Sequence, residues 1–174
     1  MADCGDTIHA IATYLGVKCS KITYDGPERI PVMKGKTGTR KGFLTIVKHL
    51  VRAAEKQRLI GEIPEEKAVV DQWLEYKVCH IDRCPSDKDK LTILKDLDNY
   101  LKDKVYFLHH RLCLIDIVLY YTFQPTFAEL TFYDKQKYMH LSRWFDNVQQ
   151  TATIRQSIPL VTFSKTQLYT ASAH

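Results

Sequence analysis

The sequence predicts an α+β chain that is mostly helical, with a short mixed α/β unit over residues 1–62 and an all-α unit over residues 63–174. Three observations carry that prediction. The clear β-prone pieces fall in the first 64 residues. Beyond them, apolar residues recur at the spacing of one face of a helix. The two regimes meet at Gly61-Glu62-Ile63-Pro64, where glycine and proline supply the punctuation of a turn.

Taken in order, Ile8, Ile11 and Leu15 stand at i, i+3 and i+7 with Gly16 behind them, which predicts a short opening helix and its stop. Residues 22–24 and 30–33 are brief β-prone pieces on either side of Asp25-Gly26-Pro27, a turn triplet, so they are expected to pair as a hairpin. The Gly-rich stretch that follows, with Lys34, Lys36, Arg40 and Lys41, reads as a flexible basic loop. From Phe43 the helical period returns, with Val47, Leu50, Val51 and Ala54 on the same side.

In the second half, Pro64 suits the first position of a helix, and Glu65 and Glu66 suit its positive end. Val70, Trp73, Leu74, Val78 and Ile81 continue that helix, and Leu91, Leu94, Leu97 and Leu101 mark the next. Residues 114–123 are apolar nearly all round, which places them at the centre of a bundle. Asp116, three residues after Cys113, has the spacing of a capping box at the start of that helix, with Leu112 and Ile117 spaced as a hydrophobic staple. Tyr138, Leu141, Trp144, Phe145 and Val148 mark a further helix, and residues 154–158 a short last one.

Composition narrows the function. A chain of 174 residues, 45% hydrophobic and 26% charged, buries roughly 70% of its unfolded surface on folding, so it needs no disulfide or metal to hold it. No apolar run reaches the roughly 18 residues of a bilayer span, so no membrane partner is expected. MADCGDTIHA has no basic leader, and five cysteines at irregular spacing argue for free thiols in a reducing compartment, hence a cytoplasmic location. The net charge of +5 is local: residues 1–64 hold 11 Lys/Arg against 6 Asp/Glu, whereas residues 65–174 hold 14 of each. So small an excess, with no interleaved aromatics, argues against direct nucleic-acid binding.

Motifs for catalysis, cofactors and metals fail on inspection. Gly35-Lys36-Thr37 resembles the end of a phosphate loop, but the glycine required five residues earlier is Ile30. Cys79, His80 and Cys84 lack the second pair of ligands that zinc requires. His109 and His110 have no acid or nucleophile at a useful spacing, and Asp96 and Asp98 read as a solvated face. The sequence therefore assigns no catalytic, cofactor-binding or metal-ligating residue.

Ile30-Pro31-Val32 closing a β-prone piece, then a helix, then a helical half with a capped apolar helix, is the layout of a glutathione-transferase-like chain. The segments EEKA (65–68), QWLEY (72–76), ILKDL (93–97), DKVY (103–106), DIVLYY (116–121), SRWF (142–145), IRQ (154–156) and LYT (168–170) narrow it. With them the chain resembles the translation elongation factor one epsilon family, small auxiliary subunits of the animal multi-aminoacyl-tRNA-synthetase complex. The resemblance implies a glutathione-transferase-like fold with a reduced thioredoxin-like subdomain over 1–62 and a transferase-type helical subdomain over 63–174. It implies that Pro31 is a cis-proline, and that Cys113 stands where the family's capping box has Thr or Ser.

Active transferases hold glutathione with a Tyr, Ser or Cys near an opening strand and with an acid or amide followed by Ser. Here little chain precedes the first helix, and Gly42-Phe43 stands in the place of that pair. The resemblance thus implies a non-catalytic scaffold without a cofactor. Its first face, on the helices over 43–58 and 65–83, would dock methionyl-tRNA synthetase through Arg52, Val69, Gln72, Trp73 and Tyr76. Its second, at Arg143, would dock glutamyl-prolyl-tRNA synthetase, and other subunits of the complex would follow. A nuclear role in the DNA-damage response is implied as well, although glycine and threonine dilute any import signal in residues 34–41. Two rivals remain at this point: a glutathione or thiol transferase using Cys4, and a tRNA-binding module using residues 34–41.

Cys113→Thr supplies the cap oxygen that cysteine lacks, which is worth about 1 kcal/mol. Its expected effect is a raised melting temperature; a lowered one in thermal denaturation would show a cysteine held by packing.

Overall fold

The computed structural model describes residues 3–35, 38–84 and 86–163. Within them the chain runs α1 (Cys4–Leu15), β1 (Ile22–Asp25), β2 (Ile30–Gly35), β3 (Gly38–Lys41), α2 (Phe43–Ala53), α3 (Pro64–Tyr76), α4 (Asp87–Tyr100), α5 (Leu114–Glu129), α6 (Phe132–Lys137), α7 (Met139–Gln149) and α8 (Ala152–Arg155). A 3-10 turn, Gln57–Ile60, joins α2 to α3, and a π-helical turn, Lys77–Ile81, extends α3. No helix among the described residues is long and apolar enough to cross a membrane.

Asp3 starts α1 by accepting the Gly5 N–H at 3.0 Å, and Gly16 ends it. The three strands form an antiparallel meander in the order β1-β2-β3. Its third strand corrects the basic-loop reading: Lys34, Arg40 and Lys41 lie on paired strands, while Lys36 and Thr37 lie outside the described residues. Gly-Thr-Arg-Lys has no apolar alternation to reveal a strand, so its order comes from pairing with β2.

Pro31 is a second correction, because the described residues contain no cis peptide bond. Asp25 pairs with Ile30 and Tyr24 with Pro31 in one continuous register. The chain is therefore extended straight through the Ile30–Pro31 bond, and the Pro31 carbonyl goes on to accept the Gly42 N–H at 2.9 Å.

One apolar core runs from Ile8 of α1 to Ile154 of α8. Its axis is α5, whose Leu114, Ile115, Ile117, Val118, Leu119, Tyr120 and Phe123 are all fully buried. Helices α1, α3 and α7 pack around it. Gln156 stitches the two halves together: its Nε2 donates to the Ala10 carbonyl at 2.9 Å and to the Tyr121 hydroxyl at 2.8 Å. The Tyr121 hydroxyl in turn donates to the Ile154 carbonyl at 2.6 Å.

At the head of α5 the Asp116 carboxylate is fully buried and takes four donors. Oδ2 accepts the Cys113 N–H at 2.8 Å and the Cys113 thiol at 3.1 Å. Oδ1 accepts the Phe107 N–H at 3.0 Å and the Trp144 indole N–H at 2.8 Å. Burial pushes the Asp116 carboxyl above its ordinary value, and these donors oppose that push.

Asp116→Ala strands three buried N–H groups at once, and each orphan costs about 1–3 kcal/mol. Urea denaturation is therefore expected to show a loss of about 3 kcal/mol or more. A loss below about 1 kcal/mol would mean that the carboxyl group does not organise these donors.

Candidate functional site

A cleft of about 660 Å³ lies between the start of α1, the β1–β2 turn, the start of α2 and the π turn. Its chemistry is inward-looking. The Tyr24 hydroxyl receives the Gly5 N–H at 3.0 Å and donates to the Asp3 carboxylate. Burial, reinforced by that carboxylate, pushes the phenol up to about 12. Burial likewise pushes the Cys4 thiol up to about 11, because the pull of Lys77 is too weak to offset it. Both groups keep their protons at neutral pH, and a protonated thiol is a poor nucleophile.

Lys77 is fully buried, with its ammonium 2.8 Å from the Asp82 carboxylate and 3.9 Å from the centroid of the Phe43 ring. Gly42-Phe43 thus brings a buried ring, not a polar pair, to this wall. Among the described residues no group of three His, Cys, Asp or Glu can hold a metal. Cys79 is exposed, His80 stacks on Tyr76 at 4.9 Å, and the Cys84 thiol donates to the Ser86 carbonyl at 3.4 Å.

The five residues of the first face are divided. Arg52 on α2 and Gln72 on α3 are exposed, whereas Val69, Trp73 and Tyr76 are half-buried at i, i+4 and i+7 of α3. Trp73 meets Tyr100 at 4.6 Å and Phe107 at 4.9 Å between ring centroids, and Phe107 meets Trp144 at 5.3 Å. It therefore belongs to an aromatic chain inside the molecule. Lys48 and Asp71, 2.5 Å apart, tie α2 to α3.

Arg143 is exposed, yet its Nη2 donates to the carbonyls of Leu101 and Lys104, both at 2.8 Å, at the end of α4. The same two helices are joined again by Asp98 of α4. Its Oδ1 accepts the His140 N–H at 2.8 Å and the Leu141 N–H at 2.9 Å at the start of α7. Asp98 is accordingly not part of a solvated face; it caps a helix whose sequence lies about 42 residues away, and no local signal announces that. Beside Arg143, Met139 is 63% exposed, an apolar group on the surface one turn earlier.

Residues 66–152 match the family described as nuclear-export cofactor Arc1p. Over 162 residues the chain is 43% identical to eukaryotic translation elongation factor 1 epsilon-1 of Mus musculus, with 92% of each chain covered. Against the protein of that name from Homo sapiens it is 44% identical, over 89% of this chain and 90% of the other. Among solved structures, a glutathione S-transferase from Pichia kudriavzevii aligns with a TM-score of 0.71 at 18% identity, covering 87% and 89% of the two chains. A class Gtt2 glutathione S-transferase of Vibrio parahaemolyticus gives 0.64 at 17% identity, covering 86% and 92%. The fold is thus glutathione-transferase-like, with a small thioredoxin-like N-terminal part.

Iodoacetamide at neutral pH is expected to label Cys79 first and to spare Cys4 and buried Cys113. Labelling of Cys4 should climb about tenfold per pH unit until the thiol titrates near 11. A plateau near the ordinary thiol value, read by peptide mass mapping, would show an unperturbed cysteine.

Proposed function

Since the chain belongs to the eukaryotic translation elongation factor 1 epsilon-1 family, we propose that it serves translation as a non-catalytic scaffold. On this reading it docks the transferase-like domains of methionyl-tRNA synthetase and glutamyl-prolyl-tRNA synthetase in the multi-synthetase complex of the cytoplasm. The relatives carry the name of an elongation factor, and the matched family is described as a cofactor. What carries the reading is the content of the transferase-type cleft. The Cys4 thiol and the Tyr24 phenol are both held protonated, the Asp82 carboxylate of the lining is paired to buried Lys77 behind it, and Phe43 fills the wall where a glutathione-holding pair would be needed.

Two helical surfaces then remain for partners. Arg52 and Gln72 stand exposed on α2 and α3, the helices proposed to receive methionyl-tRNA synthetase. Arg143 offers a planar guanidinium beside exposed Met139, a combination of cation and apolar surface common at interface anchors, and is proposed to meet glutamyl-prolyl-tRNA synthetase. Its Nη2 is already pinned to α4, so the group is presented to a partner in one fixed orientation. A nuclear role rests on the family resemblance alone.

Arg143→Ala is expected to weaken binding of the glutamyl-prolyl partner about tenfold or more while the methionyl partner stays bound. Pull-downs that retain both partners would remove Arg143 from the interface. Retention on glutathione resin together with thiol-transfer turnover would overturn the non-catalytic reading itself.

A further inference from the structure

A separate groove of about 470 Å³ lies between α2, the 3-10 turn and α3. Its lining includes four cations, Lys48, Arg52, Arg58 and Lys67, and two carboxylates, Glu62 and Asp71. Both carboxylates are already engaged. Asp71 is 2.5 Å from Lys48, and Glu62 is 2.7 Å from Arg58 and 3.6 Å from Arg111. Among the described residues Arg52 and Lys67 meet no carboxylate, and both are exposed. The local field is positive enough to act on a neighbour: burial first, then Arg40 and Arg52, hold the His49 imidazole below its ordinary value.

The groove is also a built feature. Gly61 sits at its inner end with φ +97, and a Cβ there would lie 2.7 Å from the Lys67 amide nitrogen and 2.9 Å from the Glu66 carbonyl carbon. This close approach of the turn to the start of α3 requires glycine. Ile60 is buried in the lining, and Ile63, just before α3, is 52% exposed. An apolar neighbour and two fixed carboxylates suit a protein side chain better than a nucleic-acid backbone, whose many phosphates Glu62 and Asp71 would repel.

We propose that this groove receives carboxylates: Asp or Glu side chains on a helix of the partner's transferase-like domain, seated between Arg52 and Lys67 with an apolar neighbour against Ile63. The proposal rests on the scaffold reading above and names the chemistry the partner must bring to the α2–α3 face.

The test titrates the full chain with the transferase-like domain of methionyl-tRNA synthetase by calorimetry at low and at physiological salt. Arg52→Glu, Lys67→Glu and the double variant are compared with the unaltered chain. The double variant is expected to bind about tenfold more weakly or worse at low salt, with a penalty that shrinks as salt rises, because the charges are exposed. Unchanged affinity in a folded double variant overturns the proposal. If the unaltered chain does not bind that domain, the scaffold reading fails, and the groove is read separately by titrating poly-glutamate against the side-chain NMR signals of Arg52 and Lys67. Shifts confined to those residues support a carboxylate site, and none overturns it. Tighter binding of poly(U) than of poly-glutamate, or a self-dimer in light scattering that the double variant dissolves, overturns it in favour of RNA or of a second copy.

Discussion

Asp116 places both of its carboxyl oxygens where water cannot reach them, a position that would cost several kcal/mol were they not surrounded by donors. Those donors come from three separate places: the Cys113 cap, the Phe107 backbone before α5 and the Trp144 indole on α7. To satisfy the buried carboxyl oxygens, the chain must bring all three together, and that constrains the path of residues 101–113 and the position of α7 against α5. Phe107, drawn in by its N–H, then carries the aromatic chain from Trp144 out to Tyr100 and Trp73.

The candidate surfaces inherit their geometry from that arrangement. With α7 fixed by Trp144, Arg143 reaches the carbonyl of Leu101, which caps the C-terminal end of α4, and that of Lys104 just beyond it, while Asp98 reaches the first N–H groups of α7. Each helix end thus receives charge of the sign its dipole favours, a cation at the C-terminal end and an anion at the N-terminal end. By contrast, the exposed ion pairs, Lys41 with Asp25 and Arg58 with Glu62, fall in a class worth only about 0–1 kcal/mol each. They decorate surfaces without deciding the fold.

Much of the fold was legible because it follows from local spacing. The all-round apolar run of α5, the Pro64 start of α3, the Asp25-Gly26 turn and the acid three residues past Cys113 are each read within one window of sequence. The cleft was legible in part: Gly42-Phe43 is visible as a departure from the transferase pair, but the protonated state of Cys4 depends on burial that no residue type announces. Trp73 shows the limit for the docking surfaces. Its place on a helix is plain from period, yet whether it faces a partner or Tyr100 is decided by a helix 27 residues further on.

By itself, then, the sequence determined the order of elements, the identity of the central helix and, through segments such as QWLEY and SRWF, the family. Tertiary structure alone decided that residues 38–41 form a strand, that Pro31 lies in an unbroken trans register, that Asp98 caps α7, and that Arg143 is anchored to α4. The physical reason is the same in each case. Helical period and turn chemistry act between neighbours in the chain, whereas a strand's pairing and a buried or capping charge depend on groups brought close in space from other elements, up to 43 residues away.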